Sequence, residues 1–367
     1  MKRTGSIALF CVICLMSSIL YFPVLAREEI ALINDKPVEQ FVSEEVSYYT
    51  RMMKRFIELE QINDRREELK YTKPLLVNNA ENDKKIIFLF SNGKCIGIMN
   101  YSHFKGEYVS SFAKMDIPFI TTCVATDRKC ALFLADNSLW AVSGDYCERI
   151  SGQQTNTIME KQNCGGFTQK QLELENLYEK NEANTKSNYG SWLLTVPLVS
   201  NAVSPDTNAG LCWAASTASI ILYRNSSFNG GNLDAITLYN YLKSFFPPTL
   251  YGFPYGTDVW NLRAFGIGTT SHSHVHSGTN FSTVKSIIAD QNRPIFAGLY
   301  HTATNNNDTD ANHAVVICGC DYGYGSYFYR IMDPNMSNYV IVPLTNGSFI
   351  YDAYNGPTYE NWYCRIW

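Results

Sequence analysis

Residues 313–334 read HAVVICGCDYGYGSYFYRIMDP. Ala314-Val315-Val316-Ile317 is a short β-branched apolar run, the composition of a buried strand, and Phe328-Tyr329-Arg330-Ile331-Met332 reads as a second. Asp333-Pro334 closes that second strand, because proline offers no N–H to a ladder. If the two strands pair, His313 opens one and Asp333 ends the other. Asn335 follows just beyond the proline, where the chain is free to turn.

A histidine at a strand end can turn its ring toward a cleft, and a group for it to serve lies about a hundred residues upstream in NAGLCWAASTASI, which begins at Asn208. Gly210 permits a tight turn, Cys212 falls at the predicted N-terminus of a helix, and Ala214, Ala215, Ser216, Ala218 and Ser219 give that helix a slim surface. The positive end of the helix dipole favours a thiolate there, the nucleophilic form. Taken singly, the cysteine reads as a buried core thiol and the histidine as a hydrogen-bonded core residue. Together, Cys212, His313 and Asp333 supply a nucleophile, a base and a group to orient the base. Asn335 is the alternative third residue. Asp333 is favoured because a residue before proline is held extended and because a carboxylate, unlike an amide, stabilises an imidazolium.

These residues resemble the papain-like cysteine peptidase superfamily, especially its bacterial branches of bacteriocin-processing-type (double-glycine) peptidases and streptopain. The likeness rests on Cys-Trp followed by small residues, on His-Ala-Val-Val-x-x-Gly, on a strand ending in Asp-Pro, and on FSTVKSIIADQNRPIFAGL (281–299) just before the histidine. It covers roughly Leu193 to Trp367, about half the chain. The resemblance implies an α+β fold, with a helical part and an antiparallel sheet in a catalytic domain at 191–367. It also implies hydrolysis of a peptide or protein substrate with Cys212 as nucleophile, His313 as general base and acid, and Asp333 as orienting group, with no cofactor and no metal. Relatives place a glutamine about six residues before the nucleophile to bind the oxyanion. This chain has Asp206 there, whose charge would repel the oxyanion, so Asn208 or Asn201 becomes the candidate amide beside the Cys212 backbone N–H. Two other readings use the same residues: transglutaminase or amidase acyl transfer on the same triad, and a catalytically inactive surface-binding protein with a structural Cys212.

The remaining chain sets the context. With 367 residues, 46% hydrophobic, a large core can be buried, and a net charge of -4 without basic-aromatic clusters argues against nucleic acid as a partner. MKRTGSIALFCVICLMSSILYFPVLA has the basic start, apolar run and small-residue end of a signal peptide at 1–26, with an uncleaved N-terminal anchor as the alternative. This predicts a secreted, cell-surface or periplasmic protein. Cys11 and Cys14 leave with the signal, so nine of the 11 cysteines remain, an odd number that forces at least one free or intermolecular thiol. An amphipathic helix is expected from Pro37 to about Lys70. Hairpins follow, from IIFLF-SNGK-CIGIM, FITTCVA and CALFLA-DNS-LWAVSG. Residues 27–150 thus form a helical and β-rich N-terminal domain, read as an inhibitory pro-domain of a zymogen or as a binding module. A polar connector at 151–190, with one short charged helix from Thr168, leads into the second domain. His272, His274 and His276 alternate as zinc ligands on a strand would, but in a polar, turn-like setting with no acidic fourth ligand.

Overall fold

A computed structural model describes residues 38–62, 69–80, 82–135, 138–152, 170–177, 189–206, 209–244, 273–275, 280–301, 313–323, 325–355 and 358–366. The expected signal peptide, most of the connector, and Asn208, His272 and His276 lie outside these residues. Among the described residues no helix is long and apolar enough to cross a membrane.

Helix α1 (Val38–Leu59) ends well before Lys70, and its last turns bury Met52, Met53, Phe56 and Ile57 on one face. The rest of the N-terminal half is β1 (Leu69–Thr72), β2 (Leu75–Asn78), β3 (Lys85–Ser91), β4 (Lys94–Phe104), β5 (Glu107–Lys114), α2 (Pro118–Ala125), β6 (Lys129–Ala135), β7 (Ser138–Ser143) and β8 (Tyr146–Gly152). The β3–β4 hairpin turns through Asn92 and Gly93 at φ of 50° and 75°, the left-handed pair that fits strand twist. FITTCVA, expected as strand, is helix α2 instead. Pro118 occupies its first turn, where a missing N–H costs nothing, and Thr121 and Thr122 hydrogen-bond back to the carbonyls of Ile117 and Pro118. The charged helix expected from Thr168 is likewise strand: β9 (Lys170–Gln171) pairs with β6 and β10 (Leu174–Asn176) with β1.

The C-terminal half carries β11 (Gly190–Leu193), α3 (Cys212–Arg224), α4 (Ala235–Lys243), β12 (Ser273–Val275), α5 (Phe281–Lys285), β13 (Ile295–His301), β14 (His313–Gly323), β15 (Ser326–Met332), β16 (Tyr339–Thr345), β17 (Ser348–Phe349), β18 (Tyr351–Asp352) and β19 (Thr358–Ile366). The expected α+β, papain-like fold does not appear. Strand outweighs helix, and a large mixed sheet, antiparallel except where β2 meets β6, dominates. Its main body runs β10-β1-β3-β4-β5-β16-β15-β14-β13-β19-β12. The joint is β5 on β16, with Ala113 opposite Val340 and Phe112 opposite Ile341. Left alone, each strand would expose a row of unpaired N–H and C=O groups, and joining them satisfies both.

Residues on both sides of the connector therefore share one sheet. They also share one core, in which Phe88, Ile98 and Ala113 belong to the same buried cluster as Ile331 and Val340, and Met52–Trp367 forms one compact unit. At the sheet centre β14 pairs first with β13, through Ile317, and then with β11, from Gly319 onward. Only glycine fits at the changeover, since a Cβ on Gly319 would stand 2.7 Å from the Trp192 carbonyl oxygen.

The shared sheet makes a prediction. A specific cleavage sequence placed in 178–188 and cut in the folded protein should leave two fragments that co-elute in native size-exclusion chromatography and part only in denaturant. Separation in native buffer would show that the β5–β16 joint does not hold the halves together.

Candidate active site

Helix α3 presents Cys212 at its first position, half-buried, with Leu211 before it and no side chain capping the helix. The first N–H groups of a helix have no intrahelical acceptor, so this turn points backbone donors toward the region of the thiol. Ala214, Ala215 and Ala218 are wholly buried, and their small side chains let α3 lie close against β14. Ser216 fixes the contact by donating to the Ala314 carbonyl at 3.0 Å, next to His313.

On the other side, the β14–β15 ladder sets Val316 opposite Met332, which brings the start of one strand beside the end of the other. His313 Nε2 lies 2.9 Å from Asp333 Oδ1, and since a carboxylate only accepts, Nε2 carries the proton. Nδ1 is left for the hydrogen bond that His313 makes with the Cys212 side chain. The structure thus brings Cys212, His313 and Asp333 into one chain of contacts. Asp333 is fully buried, and its remaining acceptor sites take the Asn335 backbone N–H at 2.8 Å and the Tyr351 hydroxyl at 2.6 Å.

Of the two candidates for third residue, Asp333 is the one on the imidazole. Asn335 turns its side chain the other way and accepts from Asn201 Nδ2 at 2.9 Å. That bond also engages the Asn201 amide proposed for the oxyanion, while the Asn201 backbone N–H donates to the Pro334 carbonyl at 2.8 Å. Asp206 accepts from the Tyr239 hydroxyl at 2.9 Å and pairs with Lys243 at 2.5 Å, which together hold its carboxyl below the usual range. Its charge is thereby compensated by α4. Asn208 lies outside the described residues.

Two aromatic residues at the site were not singled out from sequence. The Tyr359 ring stacks on His313 with centroids 5.8 Å apart, and Tyr351 clamps Asp333. They face each other across the β18–β19 pair, in YDAYNGPTY (351–359). Tyrosines on either side of the Asn-Gly-Pro sequence were the signal that could have marked that strand pair.

The electrostatics follow from burial and pairing. Burial pushes the His313 ring toward its neutral form, but the Asp333 charge and the hydrogen bonds to Asp333 and Cys212 outweigh it and hold the pKa up at about 10. Burial also opposes the Asp333 charge, and the imidazolium, the Tyr351 hydroxyl and the Asn335 N–H overcome it, so that carboxyl is held below its ordinary value. Burial pushes the Cys95, Cys318 and Cys320 thiols up to about 12.

Among the described residues no group of three or more His, Cys, Asp or Glu side chains could hold a metal. His274 lies on β12, and its two alternating partners lie outside the described residues. The chain matches no protein-family model and no curated protein sequence.

The raised His313 pKa has a definite sign in stability. The gain from protonating the folded ring is complete below the ordinary histidine value of 6.5 and is lost as pH rises through about 10. The Asp333 contribution runs the other way, present above the unfolded carboxyl range and lost as pH falls through the depressed value. In an NMR titration of the His313 ring protons the wild-type ring should titrate near 10. Asp333→Asn should bring it well down, because burial is then opposed only by Cys212. An unchanged midpoint would mean that Asp333 does not set the charge of the ring.

Proposed function

We propose that the protein is a thiol hydrolase that cleaves peptide bonds through Cys212, His313 and Asp333. The observation that carries this reading is the contact chain itself: a half-exposed thiol at a helix N-terminus, hydrogen-bonded to an imidazole whose other nitrogen is held at 2.9 Å by a buried carboxylate. A structural cysteine needs none of this.

In the reaction, Cys212 Sγ attacks the substrate carbonyl carbon beside an imidazolium, because the His313 ring is held protonated up to about pH 10 and keeps on Nδ1 the proton that the thiol gives up. Asp333 stays ionised, stabilises that imidazolium and fixes the ring by its bond to Nε2. Negative charge developing on the carbonyl oxygen is met by the N–H groups of the first turn of α3, a role that falls to backbone because Asn201 and Asp206 are engaged elsewhere. His313 then protonates the leaving amine, and the C–N bond breaks to leave a thioester. Water, deprotonated by the same ring, attacks the thioester and restores the thiol. All proton transfers pass through one ring, so no cofactor enters the scheme. Export is part of the same proposal, supported by the signal-like pattern of residues 1–26.

Two measurements test the reading. Cys212→Ala should reduce casein hydrolysis to background without lowering the melting temperature appreciably, and His313→Ala should slow alkylation of Cys212 by iodoacetamide at pH 6. Asp333→Ala should lose about a hundredfold in turnover, the usual scale for disturbed acid-base catalysis, and Asn335→Ala much less. Wild-type hydrolysis by Cys212→Ala would remove the nucleophile and the reading with it.

A further inference from the structure

Tyr351 and Tyr359, which hold the carboxylate and cover the imidazole, stand on one small hairpin, and the residues beside them are gripped by the N-terminal half. Asp352, next to Tyr351, is fully buried, and its carboxylate pairs at 3.0 Å with the ammonium of Lys84, which is only 2% exposed. Thr358 donates to the same carboxylate at 3.1 Å. The Asp352 carbonyl accepts from Asn100 Nδ2 at 2.8 Å and from the Ser111 hydroxyl at 3.0 Å. Lys84 also donates to the Ala353 carbonyl, and Ser111 to the side-chain oxygen of Asn100. Two residues on, the Tyr354 hydroxyl lies against the carbonyl oxygens of Ile98 at 2.9 Å and Ser111 at 3.0 Å.

A buried ammonium is costly unless paired, and replacing such a pair by apolar groups is often neutral for stability. Directional bonds do something that apolar packing does not: they fix the position of the chain they grip. β18 is only two residues long and pairs with β19 through Tyr351–Tyr359 and Asp352–Thr358, a ladder too short to fix its own place.

We propose that Lys84, with Asn100 and Ser111, positions the active site: the N-terminal half holds the β18–β19 hairpin where Tyr351 hydrogen-bonds Asp333 and Tyr359 stacks on His313. The inference rests on the thiol-hydrolase reading. It makes the N-terminal half a working part of the catalytic body, whereas an inhibitory domain predicts the opposite sign for the same substitutions.

The test uses the full-length chain. Lys84→Met/Asp352→Asn removes both buried charges together, Ser111→Ala removes one grip mildly, and Lys84→Arg keeps the charge; each is first checked for cooperative melting. Turnover of fluorescently labelled casein gives kcat and KM, and the second-order rate of Cys212 alkylation by iodoacetamide reports the imidazole without a substrate. The double variant should lose about tenfold or more in kcat, as misplacement of a catalytic group does, with KM little changed and slower alkylation. Ser111→Ala should move the same way by less, and Lys84→Arg should retain most of the wild-type kcat. Folded variants with wild-type kcat and alkylation overturn the proposal, and so do variants that gain activity. If the double variant fails to fold, Ser111→Ala decides alone, a fall in kcat at constant KM supporting the proposal and a wild-type value overturning it. His313→Ala serves as the separate control: if it alkylates like wild type, the hydrolase reading fails, whatever the Lys84 variants do.

Discussion

Asp333 is a charge shut away from water, and the arrangement around it is what such a charge requires. An ionised carboxylate in a protein interior costs several kcal/mol unless its lone pairs are met by donors. Here the donors come from three places: His313 from the start of β14, Asn335 from the turn that follows, and Tyr351 from β18. Satisfying one residue therefore fixes three segments against one another. It also fixes the proton on Nε2, and so determines which ring nitrogen meets Cys212. The nitrogen offered to the thiol is thus set from the far side of the imidazole.

The same device recurs away from the thiol. Arg330, on the strand that ends in Asp333, donates to Asp321 at 2.7 Å and to the Leu59 carbonyl at 3.0 Å, and pairs with Glu60 just past α1. Lys84 and Asp352 form the second such pair. Buried ion pairs add little to stability over apolar groups of the same shape, and their use is in specifying one arrangement among several. Each of these two joins a residue of the first hundred to the C-terminal strands, where apolar contact alone would leave more than one docking geometry.

The triad was legible in the sequence because each member sits at the end of a strongly patterned element. The small-residue run after Cys212, the β-branched run after His313 and the proline after Asp333 are local signals, and local signals survive without knowledge of the fold. The hairpin with the Asn-Gly turn and the β6–β7 pair were legible for the same reason. FITTCVA was misread because a short run of threonine, valine and isoleucine suits strand and helix alike, and only Pro118 in the first turn favoured the helix. The architecture was not legible, since the pairing of β5 with β16 joins residues more than two hundred positions apart and leaves no mark in either strand. Nor does the polar composition of the connector reveal that strands on either side of it pair in one sheet. Tyr351, Tyr359 and Lys243 were missed because their roles exist only once distant segments meet.

The β5–β16 joint and the short β18–β19 ladder also govern when the site is assembled. Both need strands from the far end of the sequence, and pairings of such separation form slowly and late, after the entropy of closing a long loop has been met. During synthesis Cys212 and its helix are complete long before β19 exists. Until Thr358 and Tyr359 have emerged and the hairpin has docked, no hydroxyl fixes Asp333 and no ring covers His313. Topology thus acts as a timer that leaves the contacts around His313 and Asp333 incomplete until the last strand is in place.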